Sequence, residues 1–166
     1  NKIIKKYKSI VKYKSKIIKK NNNKSSIISV IGLGYVGMPL SLSFVKAGFK
    51  VIGFDVDKKK IKQIKKKKSY IWSISSEDIS NALSQDFDVT VDFSKISLAD
   101  IIIICVPTPL TKYGQPDLSY LIESINSIIP YIKKGQLISV ESTTYPGTTE
   151  EEVVPRLLQK GFVVGK

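Results

Sequence analysis

From Ser26 onward the hydrophobic positions of this chain follow two alternating rhythms. Residues 27–31, 50–54, 87–91, 100–106 and 136–141 are short runs dense in branched and aromatic side chains, each of strand length. The run at 100–106 is apolar almost throughout, the pattern of a strand buried on both faces. Between the runs the apolar spacing becomes helical. Residues 35–47 predict a helix closed by Gly48, with Pro39 in the first turn, where a missing amide donor costs little. Asp57 caps a lysine-rich helix expected to reach residue 68. Ser75 or Ser76, ahead of Glu77 and Asp78, starts a short helix over 75–85. Residues 117–132 form a helix with Leu118, Leu121, Ile122, Ile125, Ile128 and Ile129 on its inner side. Thr148 or Thr149, followed by Glu151 or Glu152, reads as a capping box for a helix to residue 160. Residues 162–164 look like the lead-in to a further element. Strands alternating with helices imply crossover units and a parallel sheet covered on both faces.

The first 24 residues differ. Ile3, Tyr7, Ile10, Val11, Ile17 and Ile18 recur near helical spacing among lysines, and Asn21, Asn22 and Asn23 break the pattern. We expect a basic amphipathic helix and linker over 1–24 and one folded domain over 25–166. The formal net charge of +13 invites a nucleic-acid reading. Its distribution argues against one: ten lysines and no acid lie in residues 1–24, whereas residues 25–166 hold 17 basic and 14 acidic residues. Arg156 is the sole arginine, and arginine is the usual reader of base edges. No apolar run approaches the roughly eighteen residues of a membrane helix, and no secretion leader is visible, so no membrane partner and a cytoplasmic setting are expected. The single cysteine, Cys105, and the lack of histidine exclude a disulfide framework, a Cys/His metal site and a histidine-based triad within these residues. The start at Asn1 and the stop after Lys166 read as a fragment of a longer protein.

Gly32-Leu33-Gly34-Tyr35-Val36-Gly37 has the form G-x-G-x-x-G between a predicted strand and a predicted helix. Gly32 permits the tight turn, Gly34 lets the backbone approach a pyrophosphate, and Gly37 permits close helix–strand packing. The helix N-terminus presents free amides and the positive end of its dipole. Asp55 ends the second strand, eighteen residues after Gly37, where an acid meets the ribose hydroxyls of a dinucleotide and repels a 2′-phosphate. That favours NAD over NADP, although Lys58, Lys59 and Lys60 could offset the repulsion. Two further loops leave strand ends at the same sheet edge: Cys105-Val106-Pro107-Thr108-Pro109, and Glu141-Ser142-Thr143-Thr144-Tyr145-Pro146-Gly147. Cys105 reads as a buried strand residue, since no histidine exists to activate it. The fold class is α/β, a Rossmann-like doubly wound parallel sheet with about five strands and an extra N-terminal helix, cut before its last strand.

These motifs resemble the UDP-glucose/GDP-mannose dehydrogenases. The resemblance rests on GLGYVGMPL, FDVDKKK, CVPTPL, KYGQPDLSY and ESTTYPGTTEEEVVPR, and covers about residues 26–166. KYGQPD together with ESTTYPGTTEEE looks most like the UDP-N-acetylglucosamine 6-dehydrogenases. UDP-N-acetylmannosamine and UDP-glucose dehydrogenases, and a stand-alone module without catalysis, are the alternatives. The resemblance implies oxidation of a sugar C6 alcohol to a carboxylate with two NAD⁺ reduced in turn, and a homo-oligomeric full-length enzyme. By position it implies that Val36 and Asp55 hold the adenosine side with Lys60 near the ribose. Thr108 and Thr143 lie along the cofactor, Thr143 in a supporting catalytic place near the reacting centre. The cofactor-binding set is thus Gly32, Gly34, Tyr35, Val36, Gly37, Asp55, Lys60, Pro107, Thr108, Ser142 and Thr143. The family's nucleophilic cysteine and most sugar contacts lie further along the chain, so these residues alone are expected to bind NAD without turning over a nucleotide sugar.

Overall fold

The computed structural model describes residues 13–164. Five parallel strands form one sheet: β1 (Ile27–Ile31), β2 (Lys50–Phe54), β3 (Phe87–Thr90), β4 (Ile101–Ile104) and β5 (Leu137–Val140), in the order β3-β2-β1-β4-β5. Among the described residues six helices accompany them: α1 (residues 13–22), α2 (Gly37–Lys46), α3 (Lys58–Lys65), α4 (Ser76–Ser84), α5 (Ser119–Ile128) and α6 (Val154–Gln159). The two-residue period of a strand explains the layering. Ile28 and Val30 of β1, Val51 of β2, and Ile101 and Ile103 of β4 face a core shared with α2, α3 and α4. Ile31, Ile52, Phe54, Ile102 and Ile104 face a second core shared with α5 and α6. β1 lies between β2 and β4, so the connections after β1 and β4 depart to opposite sides and open a crevice at the carboxyl edge.

The boundaries differ from the sequence expectation in instructive ways. α2 begins at Gly37 rather than 35, because Tyr35 and Val36 belong to the turn. α3 stops at Lys65, with Lys66 as C-cap and Lys67 left-handed at φ 59°. The strands predicted over 87–91, 100–106 and 136–141 keep only the residues that pair across the ladder. The helix predicted over 117–132 is α5 followed by a 3₁₀ turn at Ile129–Tyr131, where Pro130 removes a donor. A 3₁₀ turn at Phe93–Leu98, for which the sequence pattern predicts no element, packs Ile96 into the second core. Residues 162–164 carry no strand.

The capping box predicted at Thr148 or Thr149 does not form: Thr149 lies inside the turn and Thr148 makes no cap bond to it. Thr148 is already helical, at φ −50°, and its hydroxyl donates to the Tyr145 carbonyl. The chain instead makes one π turn, Thr149–Val153, before α6. Pro155, in the first turn of α6, has no N–H and cannot continue a ladder from the preceding turn, and Arg156 Nη1 separately donates to the Glu152 carbonyl. By contrast, Asp57 caps α3 through the amides of Lys59 and Lys60, and Ser75 with Asp78 closes a full capping box on α4.

Residues 1–12 of the expected basic helix lie outside the described residues. The described part, α1, runs through Asn21 and Asn22 rather than breaking there. Lys20 Nζ pairs with Asp100 Oδ1 at 2.6 Å, and Asp100 Oδ2 accepts from the Ile27 amide at 3.0 Å. This carboxylate therefore fixes both the end of α1 and the first residue of β1.

Candidate functional site

The glycine turn after β1 is built by steric necessity. Gly32 has φ 90°, and a Cβ there would lie 2.4 Å from the Cys105 carbonyl oxygen. A Cβ on Gly37 would lie 1.9 Å from the Gly32 carbonyl oxygen, so only glycine lets α2 start this close to the turn. Gly34 is the opposite case: a Cβ there would meet no atom within 4 Å. Its vacant side faces the cleft. Among the described residues, the amides of Gly34, Tyr35 and Val36 have no hydrogen-bond partner. Three free donors at a helix start, beside a missing side chain, form a cradle for an anion.

Asp55 sits at the end of β2, buried at 6 % exposure. Its Oδ2 accepts from the Leu33 amide at 3.0 Å and from Lys60 Nζ at 3.1 Å. Its Oδ1 accepts from the Asp57 amide at 2.9 Å. The carboxylate is thus held by the glycine turn on one side and by the start of α3 on the other. Lys60, the cation expected near the ribose, is in place as its counter-ion.

The two later loops close the far wall. Ser142 Oγ donates to the Val106 carbonyl at 2.8 Å and lies 3.1 Å from the Val106 amide that donates to it. Ser142 reaches the site, but its hydroxyl ties one loop to the other. Pro107, Thr108 and Thr143 line the cleft beside it. Cys105 also lines the cleft, with 8 % exposure, and burial and then the charge of Glu141 push its thiol up to about 11. A thiol so shifted stays protonated at neutral pH. Cys105 is buried as expected, but it lies one residue past β4, which ends at Ile104, rather than within the strand.

The cleft holds about 690 Å³ and gathers every residue of the predicted cofactor set except Gly37, which lies beneath it as a packing contact. Sequence reading missed Tyr70, Phe93 and the α5 residues Tyr120, Glu123, Ser124 and Ser127, which also line it. Their local sequence carries no signal for this. Tyr70 meets the site across 37 residues of chain, by donating its hydroxyl hydrogen to the Leu33 carbonyl. Among the described residues no group of three or more His, Cys, Asp or Glu could hold a metal ion, and no helix is long and apolar enough to cross a membrane.

A parallel sheet in this order, a glycine turn opening a helix, and an acid at the end of the next strand define a dinucleotide-binding domain. The chain belongs to the UDP-glucose/GDP-mannose dehydrogenase family, whose NAD binding domain matches residues 26–162. It is 42 % identical over 130 residues to a UDP-N-acetyl-D-glucosamine 6-dehydrogenase of Salmonella typhi, covering 78 % of this chain and 30 % of that protein. It is 38 % identical over 130 residues to a UDP-N-acetyl-D-mannosamine dehydrogenase of Methanocaldococcus jannaschii, covering 75 % of this chain and 30 % of that one. Among solved structures, a UDP-N-acetyl-mannosamine dehydrogenase from Staphylococcus aureus superposes with a TM-score of 0.78 at 34 % identity, over 85 % of this chain and 34 % of the other. The chain spans about a third of the length of these relatives.

Proposed function

We propose that the cleft binds NAD and serves a nucleotide-sugar 6-dehydrogenase acting on the C6 alcohol of UDP-N-acetylglucosamine. The observation that carries cofactor binding is the cradle at Gly34: free amides, the dipole of α2 and no side chain in the way. In this reading the pyrophosphate lies over Gly34, Tyr35 and Val36. Asp55 accepts from the ribose hydroxyls with Lys60 beside it, and the carboxylate repels the 2′-phosphate of NADP. Thr108 and Thr143 hold the nicotinamide side, Thr143 nearest the reacting carbon. When bound, the nicotinamide supplies the electron acceptor for the sugar. The chain's own residues bind, orient and wall off that reaction. Its one cysteine is buried and protonated, so it is no nucleophile for a covalent step.

The 42 % identity to a UDP-N-acetyl-D-glucosamine 6-dehydrogenase supports the choice of sugar. The mannosamine isomer is the second reading, favoured by the structural likeness to the staphylococcal enzyme. The whole enzyme is expected to work as a homo-oligomer in the cytoplasm, in the making of a surface-polysaccharide precursor. Calorimetric titration of the 166-residue chain with NAD⁺ is expected to show binding at one site, with NADP⁺ weaker. The same chain, given NAD⁺ and UDP-N-acetylglucosamine, is expected to yield no reduced nicotinamide. Absence of NAD⁺ binding overturns the cleft assignment, and steady NADH formation overturns the inactivity. Assay of the complete gene product with UDP-N-acetylglucosamine, UDP-N-acetylmannosamine and UDP-glucose decides the sugar.

A further inference from the structure

The middle of the glycine turn is held from three directions. The Leu33 amide donates to Asp55 Oδ2 at 3.0 Å. The Leu33 side chain is fully buried, lodged over Gly53, where a Cβ would lie 2.9 Å from Leu33 Cδ2. The Leu33 carbonyl accepts from the hydroxyl of Tyr70. That carbonyl belongs to the same planar peptide as the Gly34 amide, and in a trans peptide C=O and N–H point in opposite directions. Anchoring the Leu33 oxygen on one side therefore aims the Gly34 N–H to the other side, where that amide has no protein partner.

Tyr70 is itself held in place. Its loop, between α3 and α4, is tied by Gln63 Nε2 to the Ser69 carbonyl at 3.1 Å and by the Ser69 amide to Ser76 Oγ at 3.0 Å. Ile71 and Ile74 are buried on either side of the exposed Trp72–Ser73 tip. The Tyr70 ring packs on the first core and lines the cleft. Burial, then the charges of Asp55 and Asp57, raise its phenol well above the ordinary tyrosine range, so it remains a donor at any pH where the protein is handled.

We infer that Tyr70 is a positioning residue of the dinucleotide site, orienting the Leu33–Gly34 peptide so that the Gly34 amide meets the pyrophosphate. The inference rests on the NAD reading above and adds to it a residue from outside the glycine turn. Its role is specific to the phosphates and leaves the adenosine contacts at Asp55 alone.

The test is titration of the full chain and its Tyr70→Phe variant with NAD⁺, ADP-ribose and adenosine, followed by calorimetry and by the amide spectrum of the glycine turn. Loss of one oriented hydrogen bond should weaken NAD⁺ and ADP-ribose by roughly three- to tenfold while adenosine binding is unchanged. The Gly34 amide resonance of the ligand-free variant should shift. Equal affinity of variant and wild type for ADP-ribose overturns the inference. An equal loss for adenosine also overturns it, since it marks general damage to the cleft. Failure of the wild-type chain to bind any of the three ligands sinks the NAD reading instead. Tyr70→Phe keeps the ring that packs on the core, and its circular dichroism and melting temperature check that the fold is retained.

Discussion

Gly34 and Gly37 lie three residues apart in one motif, yet alanine at each should do opposite things. At Gly37 the new Cβ would sit 1.9 Å from the Gly32 carbonyl oxygen, 3.1 Å from its carbon and 3.2 Å from Val30 Cγ1. Real Cβ atoms essentially never come within 3.0 Å of another atom, so α2 and the turn must part by about 1 Å. The two nearest atoms are Gly32 backbone and the third is the buried Val30 side chain, so the shift spreads into the core around them. Overpacking of this kind costs about 1–3 kcal/mol, with a backbone clash at the upper end. The better helix propensity of alanine returns at most about 1 kcal/mol, less at the first helical residue. The clash wins, and Gly37→Ala should melt roughly 4–10 °C below wild type. At Gly34 the methyl meets no atom within 4 Å, and φ is not positive. Alanine there restricts the unfolded chain, so Gly34→Ala should be neutral or gain about 0.4–1 kcal/mol. Its methyl nevertheless occupies the space assigned to the pyrophosphate, so NAD⁺ affinity should fall by about tenfold or more. Thermal melts with and without NAD⁺, with calorimetry on each variant, read both quantities. A Gly37→Ala protein that melts with wild type would refute the packing argument. A Gly34→Ala protein that binds NAD⁺ normally would refute the cradle.

Three further outcomes follow from the same geometry. Asp55→Asn should weaken NAD⁺ binding by about tenfold and narrow the preference over NADP⁺, measured by competitive titration, because it removes the charge held between the Leu33 amide and Lys60. Asp100→Ala should lower stability by about 1–3 kcal/mol in urea unfolding without touching NAD⁺ affinity, since it strips a partner from the Ile27 amide and from Lys20. Cys105 should resist iodoacetamide in the folded chain at pH 8. Its thiol is raised from 9.0 to about 11, so the stability it contributes is full below pH 9 and is lost as pH rises through 11. Cys105→Ser should flatten that part of a pH–stability curve, and an unaltered alkaline slope would count against the assignment.

The layers of the fold were legible because burial repeats. The alternation through Ile28–Ile31 and 101–104 assigns each residue to one face of the sheet or the other, and the two cores divide along that line. The glycine turn, Asp55 and the two strand-end loops were legible because each follows directly on a strand, and parallel strands bring their carboxyl ends to one edge of the sheet. Ends were harder. Lys65 through Lys68 offer four equal side chains, and only the left-handed turn at Lys67 stops α3. Thr148 has the sequence of a capping box, but it is already helical and its hydroxyl bonds the Tyr145 carbonyl instead. Tyr70 and Ser142 act through partners 37 and 36 residues away, a distance that no local pattern reports.

The reciprocal bond between Ser142 and Val106 has a mechanical consequence. It rivets the segment after β4 to the segment after β5, so the far wall is a single stiff panel rather than two independent flaps. Across the gap from that panel, Tyr35 and Val56 line the cleft with exposed side chains, so adjustment to a guest falls to them.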